Sequence, residues 1–539
     1  MKLIISKIYK LVSSALLMAL LAIHTVSAQS VYQPYSYQFY QKFSADEYSL
    51  NTRIHTTIKP WFADDTLLKH TYDSLMTVGS GSKGLLGKRF FNRHLVDVQH
   101  AGYTVYGDIL PDLQTGYNFT DGGKSTWLTT LGYQVGGTIG SKFSFYGSGY
   151  NNWAQLPSYL TNYANATGVV SGQTRVTNRG GSTTDWSYYT YLLSYTPVKY
   201  VNFTAGQDKT FIGDGYRSML LSDYASPYPF FKVTFNLGDV KYMAMYTRFE
   251  DPRGPKVPGD ADNFVKWGYF HYLDWNISNR VSIGFFDSIV SAGADSVGHK
   301  RGFDFSYASP FIFLRPVEGS HGSPDKADIG FTAKWKFADK AIVYGQFALT
   351  EFNSTDFFSG NGSVRNKYGY QLGIRGADLF KIKTLNYLFE FNTAKPYTYS
   401  ETASFRNYSQ YDEPIAHPFG ANFREWLGIV NYSIGRFDLE GHIDYAYYGL
   451  DMNGLNYGKN IFESYLNAAK QTGNYTGQGL HTDFYYAQGK VAYLLNPKYN
   501  LRLELGALFR DETNSVYTNK TALITIGLRS SFRNIYNDF

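Results

Sequence analysis

The sequence predicts an all-β fold, a transmembrane antiparallel β-barrel of about 18–20 strands with a short N-terminal helical or plug segment. Three observations predict it: an export signal, a remaining chain with no apolar run long enough for a membrane helix, and strands that alternate apolar with polar residues. The 539 residues include 49 Tyr, 40 Phe and 52 Gly, and only 17% are charged. In lipid every backbone polar group must be paired within the protein, which only helices or a closed barrel achieve.

Residues 1–28 are predicted to be a signal peptide. Lysines precede an apolar stretch over 11–23, and Val26, Ser27 and Ala28 supply small residues before a cut after the last of them. An uncleaved anchor helix is the alternative, but the apolar stretch is short for a span. The chain has no cysteine, which excludes a lipid-bearing cysteine and disulfides. We expect a multi-pass barrel in the outer membrane of a Gram-negative bacterium, in contact with its lipid.

The predicted strands alternate lipid-facing apolar residues with lumen-facing polar or small ones. The clearest strand places Phe437, Leu439, Ile443, Tyr445 and Tyr447 on one face and Asp438, Glu440, His442 and Asp444 on the other. The same alternation occurs over 201–206, 501–510 and 522–529. Tyrosine suits the membrane interface because its ring is apolar and its hydroxyl polar.

Turn lengths predict the topology, since such barrels have short periplasmic turns and long outer loops. The predicted tight turns are Thr196–Tyr200, Leu237–Val240, Asn276–Arg280, Ala308–Pro310, Ala338–Lys340, Ile434–Arg436 and Asn496–Asn500. Placing these in the periplasm puts outside the segments 151–185, 209–229, 251–263, 319–327, 395–422 and 451–482. The two sets interleave from about residue 113 to the end, which supports a single barrel over 101–539.

The segment 29–100 does not fit the barrel pattern. We expect it to lie in the periplasm or to plug the lumen. Within it, Asp65–Met76 has the spacing of a short amphipathic helix. A second helix is predicted in an outer loop over Ile461–Lys470, because Gly473 lies just beyond its end.

Catalytic and metal chemistry are not expected. The row from Asp438 to Asp444 could bind a cation, but residues two apart on a strand lie about 7 Å apart, so other strands would have to contribute. The sequence contains no G-x-S-x-G, H-E-x-x-H or phosphate-loop motif. An outer-membrane barrel can also be a lipase, with Ser and His on neighbouring strands, and such a site would leave little trace in the sequence. We nevertheless predict no enzyme, no metal and no cofactor. The net charge of +6 is spread along the chain, so nucleic acid is not an expected partner.

The segment 206–229 combines charges with aromatic residues. Aromatic faces and charged hydrogen-bonding groups suit sugar rings, since the faces cover C–H patches and the charges meet hydroxyls or uronates. The alternative is a loop that packs on itself and on the barrel rim.

This segment resembles the signature region of the Wzi capsule-assembly family, in the Bacteroidetes branch that includes the gliding-motility protein RemB. Three further stretches resemble the same branch in the same order: 311–325 (FIFLRPVEGSHGSPD), 343–352 (VYGQFALTEF) and 411–425 (YDEPIAHPFGANFRE). Together they span roughly residues 200–430, and residues 29–110 carry no recognisable motif.

The resemblance implies a non-catalytic barrel associated with surface polysaccharide. Two alternatives stay open: an accessory barrel for gliding or adhesion that binds other envelope or motility proteins, and a diffusion porin or small-molecule exporter. The segments 209–229, 315–325 and 412–425 are predicted to reach the same outer mouth. The candidate glycan-binding residues there are Lys209, Asp214, Tyr216, Arg217, Asp223, Arg315, Glu318, His321, His417 and Arg424. An internal salt-bridge network that braces the loops is the alternative role for these residues.

Overall fold

The computed structural model describes residues 32–61, 66–78, 91–120, 122–177, 183–254, 264–295, 298–309, 312 and 327–539. The predicted signal peptide therefore lies outside the described residues. Among the helices that are described, none is long and apolar enough to cross a membrane.

Within the described residues, 18 antiparallel strands form a closed barrel, and a short additional strand, Val96–His100, pairs with the first of them over Tyr103–Gly107. In chain order they are β1 (Tyr103–Asn118), β2 (Lys124–Ile139), β3 (Phe143–Gln155), β4 (Thr184–Val198), β5 (Val201–Asp208), β6 (Tyr228–Asn236), β7 (Val240–Asp251), β8 (Phe264–Asn276), β9 (Val281–Ala292), β10 (Ala327–Ala338), β11 (Ala341–Glu351), β12 (Lys367–Gly376), β13 (Leu385–Ala394), β14 (Phe423–Ile434), β15 (Phe437–Leu450), β16 (Leu480–Asn496), β17 (Leu501–Asn514) and β18 (Thr518–Ser530). Each strand pairs with the next, and β18 pairs with β1 from Leu523–Asn118 to Leu528–Leu113, which closes the barrel. The predicted fold class is confirmed.

The alternation of the strands sets which side chains face lipid. In β17, Leu503, Leu505 and Phe509 are exposed, whereas Arg502 and Glu504 are buried. The lumen holds the polar side chains and the lipid-facing wall is apolar, as outer-membrane barrels require. The chain is therefore a multi-pass outer-membrane β-barrel.

The connections at one end of the barrel are short and those at the other end are mostly long. The predicted tight turns are confirmed except for Ala308–Pro310, and by the usual rule this end is periplasmic. The described parts of the predicted outer segments lie at the opposite end; residues 178–182, 255–263 and 319–326 are outside the described residues. A further outer loop, 352–366, was not predicted and contains the helix Ser354–Ser359.

The prediction of a periplasmic turn at Ala308–Pro310 is wrong. β9 ends and β10 begins at the outer end, and the described residues between them, 293–295, 298–309 and 312, form no barrel strand. Its described part lies against the outside of the barrel, where the Phe303 ring packs 5.6 Å from that of Trp267 and 5.0 Å from that of Tyr269. Tyr246 also donates a hydrogen bond to the Ala308 carbonyl at 3.1 Å. These outward-facing aromatic side chains hold the segment against the wall.

The predicted N-terminal helix is confirmed and the second predicted helix is not. An α-helix spans Thr66–Leu75, whereas the loop over 461–470 forms only a 3-10 turn at Tyr465–Asn467. The loop backbone bonds elsewhere: the Ala469 amide donates to the Asn456 carbonyl at 2.8 Å. Tertiary hydrogen bonds have replaced the local helical ones. A separate helix, Ser158–Thr167, follows β3.

Candidate functional site: the filled lumen and the outer loops

Residues 32–61 form a segment that runs inside the barrel and bonds to its inner wall. Ile58–Lys59 pairs as a two-residue strand with Phe211–Ile212. Lys42 forms an ion pair with Asp438 at 2.7 Å, near the periplasmic end of β15. We call residues 32–61 the N-terminal segment; these contacts join it to the lumenal face of the barrel.

The loop 209–227, which we call the lumenal loop, turns down into the barrel. Gly213 has φ +141°, and a Cβ there would lie 2.2 Å from Gln346 Nε2. At Gly215 a Cβ would lie 2.1 Å from a carboxylate oxygen of Glu390. That carboxylate accepts hydrogen bonds from the amides of Tyr216 and Arg217 at 3.0 and 3.1 Å. Glycine is favoured at 213 because of its positive φ, and at both positions the loop backbone packs directly on polar groups of the wall.

Arg217 is the centre of a buried cluster of charges and is only 2% exposed. Its guanidinium lies 3.1 Å from Glu425, 3.2 Å from Asp538 and 3.7 Å from Asp444. Burial alone would lower the pKa of Arg217, but the carboxylates of Asp538 and Glu425 raise it well above its ordinary value. His417 completes the cluster, with its Nε2 2.8 Å from Glu425. We call these five residues the charge cluster.

Residues 531–539 also fold into the lumen and join the lumenal loop to the outer end of the barrel. Asp223 accepts hydrogen bonds from Asn534 and Tyr536, each at 2.6 Å. The ring of Phe539 lies 4.8 Å from that of Tyr163 in the helix Ser158–Thr167. Three separate segments therefore fill the same lumen.

The other charged residues of the lumenal loop are paired as well. Lys209 donates to the carbonyls of Gly172 and Asp223 at 2.5 and 2.8 Å, and burial lowers its pKa. Asp214 accepts a hydrogen bond from the Thr56 hydroxyl. Burial would raise the pKa of Asp214, but the ammonium groups of Lys334 and Lys59 lower it overall.

The long outer loop 395–422 lies directly on the lumenal loop. The Ser222 amide donates to the Ile415 carbonyl at 2.8 Å, and its hydroxyl donates to the Ala416 carbonyl at 2.5 Å. Glu413 accepts from the Gly172 amide at 2.6 Å and from the Ser226 amide at 2.8 Å. Burial raises the pKa of Glu413 to about 7.

Five of the ten predicted site residues lie inside the barrel. Lys209, Asp214, Arg217, Asp223 and His417 are all buried and bonded to the protein. The surface position expected for them is therefore not observed, because their partners lie within the lumen. Their arrangement is that of the internal bracing network.

Of the other five predicted residues, Tyr216 joins that network in part, Arg424 lies outside it, and three are not described by the structure. The Tyr216 hydroxyl donates to Asp538 at 2.8 Å. Arg424 is exposed on the outside of β14, with its guanidinium 5.9 Å from the centre of the Tyr447 ring. The remaining three, Arg315, Glu318 and His321, lie outside the described residues.

Sequence reasoning missed the groups that bind the lumenal loop. In the sequence Glu390 and Glu425 look like ordinary lumen-facing residues of alternating strands. No sequence pattern marks Asp538 as a partner of the lumenal loop. Their partners lie far along the chain: Arg217 is 208 residues from Glu425 and 321 from Asp538.

Among the residues that the structure describes, no three His, Cys, Asp or Glu side chains are placed to hold a metal ion.

The outer loops 352–366 and 451–479 join at the outer end of the barrel. The Gly473 amide donates to the Asn361 carbonyl at 2.7 Å, and the Asn474 amide donates to the Gly362 carbonyl at 3.0 Å. Around this seam Phe358 is 82% exposed and Tyr475 is 59% exposed. Arg365 and Lys470, in the same two loops, are exposed as well. We call residues 357–365 and 470–475 the loop junction.

Comparison with known proteins links this chain to a solved outer-membrane barrel by its fold. No protein-family model matches the sequence, and no curated protein matches it significantly. The chain superimposes on Wzi, an outer-membrane protein involved in group 1 capsule assembly in Escherichia coli and described as a carbohydrate-binding β-barrel, with a TM-score of 0.53 and 13% identity over 92% of this chain and 97% of Wzi.

Two Pseudomonas aeruginosa proteins match less well. OprD matches with a TM-score of 0.42 and 7% identity over 78% of this chain and 94% of OprD. OccK1 matches with a TM-score of 0.42 and 9% identity over 79% of this chain and 98% of OccK1. At 13% identity the match to Wzi shows a similarity of fold alone. This outer-membrane barrel therefore has a Wzi-like fold.

Proposed function

We propose that this protein is a non-catalytic outer-membrane barrel that associates with surface polysaccharide at its extracellular face. The observation that carries the proposal is a lumen filled by three chain segments beneath outer loops with exposed aromatic residues. A barrel packed in this way offers its outer surface for binding instead of a pore for diffusion. Wzi, which shares the fold and is described as a carbohydrate-binding barrel, is consistent with this role.

The loop junction is the surface that we assign to polysaccharide contact. Phe358 and Tyr475 offer aromatic faces that can cover the C–H patches of sugar rings. Arg365 and Lys470 add positive charge, and a guanidinium can hold a uronate carboxylate through two hydrogen bonds. An acidic polysaccharide fits this combination best.

Arg315, Glu318 and His321, in the connection before β10, remain candidate glycan-binding residues. The buried candidates, such as Arg217 and His417, support the proposed surface indirectly, because they hold the outer loops on the barrel.

We further propose that the chain belongs to the Bacteroidetes branch of the Wzi family, because the stretches 206–229, 311–325, 343–352 and 411–425 resemble that branch.

The proposal is tested on cells that lack the protein and are complemented with variants. We expect Phe358→Ser with Tyr475→Ser to release polysaccharide from the cell surface into the medium, while the amount of folded barrel stays normal. Val516→Ser is the matched control, because Val516 is an exposed apolar residue in the outer turn between β17 and β18. Unchanged retention in the double variant, with normal barrel abundance, would contradict the assignment.

A further inference from the structure

Two basic side chains lie close together on the outward side of the barrel, at the outer ends of β13 and β14. Arg424 is the second residue of β14, is exposed, and lies opposite Thr393 of β13. Lys395 follows Thr393 by two residues, so it continues the same face of the sheet about 7 Å further along the chain. The Lys395 ammonium lies 5.7 Å from the centre of the ring of Tyr368, an outward-facing residue of β12. One patch of the outer surface therefore holds both charges.

Neither of these cations forms an ion pair with a carboxylate among the residues that the structure describes. Burial and the nearby Arg424 guanidinium lower the pKa of Lys395, because each of two like charges opposes the ionisation of the other. An acid on the same face, Asp483, lies two strands away from Arg424 on β16, where it accepts a hydrogen bond from the Tyr445 hydroxyl at 3.0 Å. The patch therefore carries positive charge that no described carboxylate contacts.

A band of aromatic rings lies directly beneath the two charges. The Trp426 ring packs 5.1 Å from that of Phe391 on one side and 5.7 Å from that of Tyr445 on the other. Trp426 follows Arg424 by two residues on β14 and so faces the same way. Further toward the periplasm the outward wall is apolar, with Val430 45% exposed. Aromatic girdles mark the level of the lipid headgroups in such barrels, so the two cations lie at the outer edge of the membrane.

We propose that Lys395 and Arg424 bind the phosphate group of an outer-leaflet lipid whose acyl chains lie on the apolar wall below them. A phosphate offers acceptor oxygens to both side chains: the planar guanidinium can hold two oxygens at once, and the ammonium acts as a point charge. The band of aromatic rings suits the boundary between this headgroup and its chains. The inference goes beyond the proposed function, since this patch and the loop junction share no residue and bind different molecules.

The wall beneath the cations favours a lipid over a polysaccharide. A uronate carboxylate would also bind Arg424, but a glycan at this position would lie partly against an aromatic and apolar face that is turned to hydrocarbon. A phosphorylated lipid places its acyl chains on that face and its charge on the two cations. The whole patch therefore matches the two parts of one lipid molecule.

The test uses the full chain purified in a neutral detergent and titrated with lipid, with bound lipid counted by native mass spectrometry. Dioleoyl phosphatidic acid and dioleoylglycerol differ only in the phosphate, and lipid A represents the phosphorylated lipid of the outer leaflet. We expect phosphatidic acid and lipid A to bind, and dioleoylglycerol to bind much more weakly. Inorganic phosphate at the same concentration should not compete, because it lacks the chains that contact the wall.

Removal of both charges, by Lys395→Gln with Arg424→Gln, should weaken the binding of phosphatidic acid and lipid A about 25-fold, which is about fivefold for each charge. The exchange Lys395→Arg with Arg424→Lys keeps both charges and should retain most of the binding. Lys520→Gln is the matched control, because Lys520 also faces outward at the outer end of a strand but lies 3.1 Å from Asp511. Its loss should leave lipid binding unchanged. Heat-modifiable gel mobility identifies any variant that has lost the barrel.

Three results would overturn the inference: equal binding of phosphatidic acid and dioleoylglycerol, equal lipid binding by the uncharged double variant and the unaltered protein, or competition by inorganic phosphate as strong as that by lipid A. If the uncharged double variant keeps lipid binding but loses binding of oligogalacturonate, the two cations belong to a polysaccharide site instead. The loop-junction variants keep both cations, so the outcome for that surface is obtained independently.

Discussion

Arg217 shows how one residue of the lumenal loop stabilises the barrel. Its guanidinium compensates buried carboxylates from β14, from β15 and from residues 531–539. Buried ion pairs of this kind are weak evidence for net stability, since desolvation offsets much of the attraction. Removing one partner is different, because the carboxylates left behind stay buried without compensation.

We therefore expect Arg217→Gln to destabilise the folded barrel by about 3–5 kcal/mol. The free energy of unfolding is measured in urea, with the heat-modifiable shift on gels as the readout of the folded state. Arg424→Gln is the control: Arg424 is exposed outside β14, and its loss should change stability by less than about 0.5 kcal/mol. Equal effects of the two substitutions would remove the structural role assigned to Arg217.

Glu413 makes the contact of the outer loop 395–422 with Gly172 and Ser226 dependent on pH. Burial raises its pKa from 4.5 to about 7, so the folded state holds this proton more tightly than the unfolded chain does. Its contribution to stability is therefore complete below pH 4.5 and is lost as the pH rises through about 7. The loss is on the order of 3 kcal/mol.

The pH prediction is checked by measuring the unfolding free energy and the protease resistance of the outer loops between pH 4.5 and pH 8. Glu413→Gln cannot ionise and should flatten this part of the profile, although it also weakens the bonds from Gly172 and Ser226. Glu463→Gln, which changes an exposed glutamate of an outer loop, should leave the profile unchanged. A profile that keeps its slope in Glu413→Gln would show that another group causes it.

At the scale of the elements, turn length decides which end of each strand faces the cell exterior. The hairpin from β14 to β15 turns within Ile434–Phe437, whereas 451–479 is a long loop at the opposite end. Because outer-membrane barrels keep their short turns in the periplasm, this difference assigns the sides.

A tag inserted at Gly454 should be labelled on intact cells, since Gly454 is exposed in the outer loop and a Cβ there would meet nothing within 4 Å. Nearby Asn456 is a poorer insertion point because it is buried. A tag inserted between Phe380 and Lys381, in the turn between β12 and β13, should be labelled only after the outer membrane is permeabilised. The reverse labelling pattern would invert the assigned topology.

At the scale of the whole molecule, the N-terminal segment, the lumenal loop and residues 531–539 share one lumen. The N-terminal segment bonds to the lumenal loop through Ile58–Lys59, and residues 531–539 bond to it through Asp223. The three segments support one another, so the displacement of one would weaken the packing of the others.

We expect the purified protein to show little steady conductance in planar bilayers, because the three segments fill the lumen. A general diffusion porin inserted under the same conditions provides the comparison and should show large, stable steps. Steps of similar size from this protein would restore the porin alternative and remove the observation on which the proposed function rests.

The sequence alone was enough to predict the closed barrel, its approximate number of strands and the direction of most strands. These properties follow from local patterns. The alternation of apolar and polar residues fixes the faces of a strand such as β17, and the length of a turn such as Ile434–Arg436 fixes the end at which it lies. The prediction of a periplasmic turn at Ala308–Pro310 was wrong because no local sequence pattern distinguishes a hairpin turn from a segment that lies against the outer wall.

Only the tertiary structure decided where the charged and aromatic loop at 209–227 goes. Its composition suits an exposed sugar-binding loop and an internal brace equally well. The choice depends on Glu390, Glu425 and Asp538, whose carboxylates bind the amides of the loop and the guanidinium of Arg217. Those partners are 173, 208 and 321 residues away along the chain. A local pattern cannot contain such contacts, because closure of the barrel is what brings these residues together.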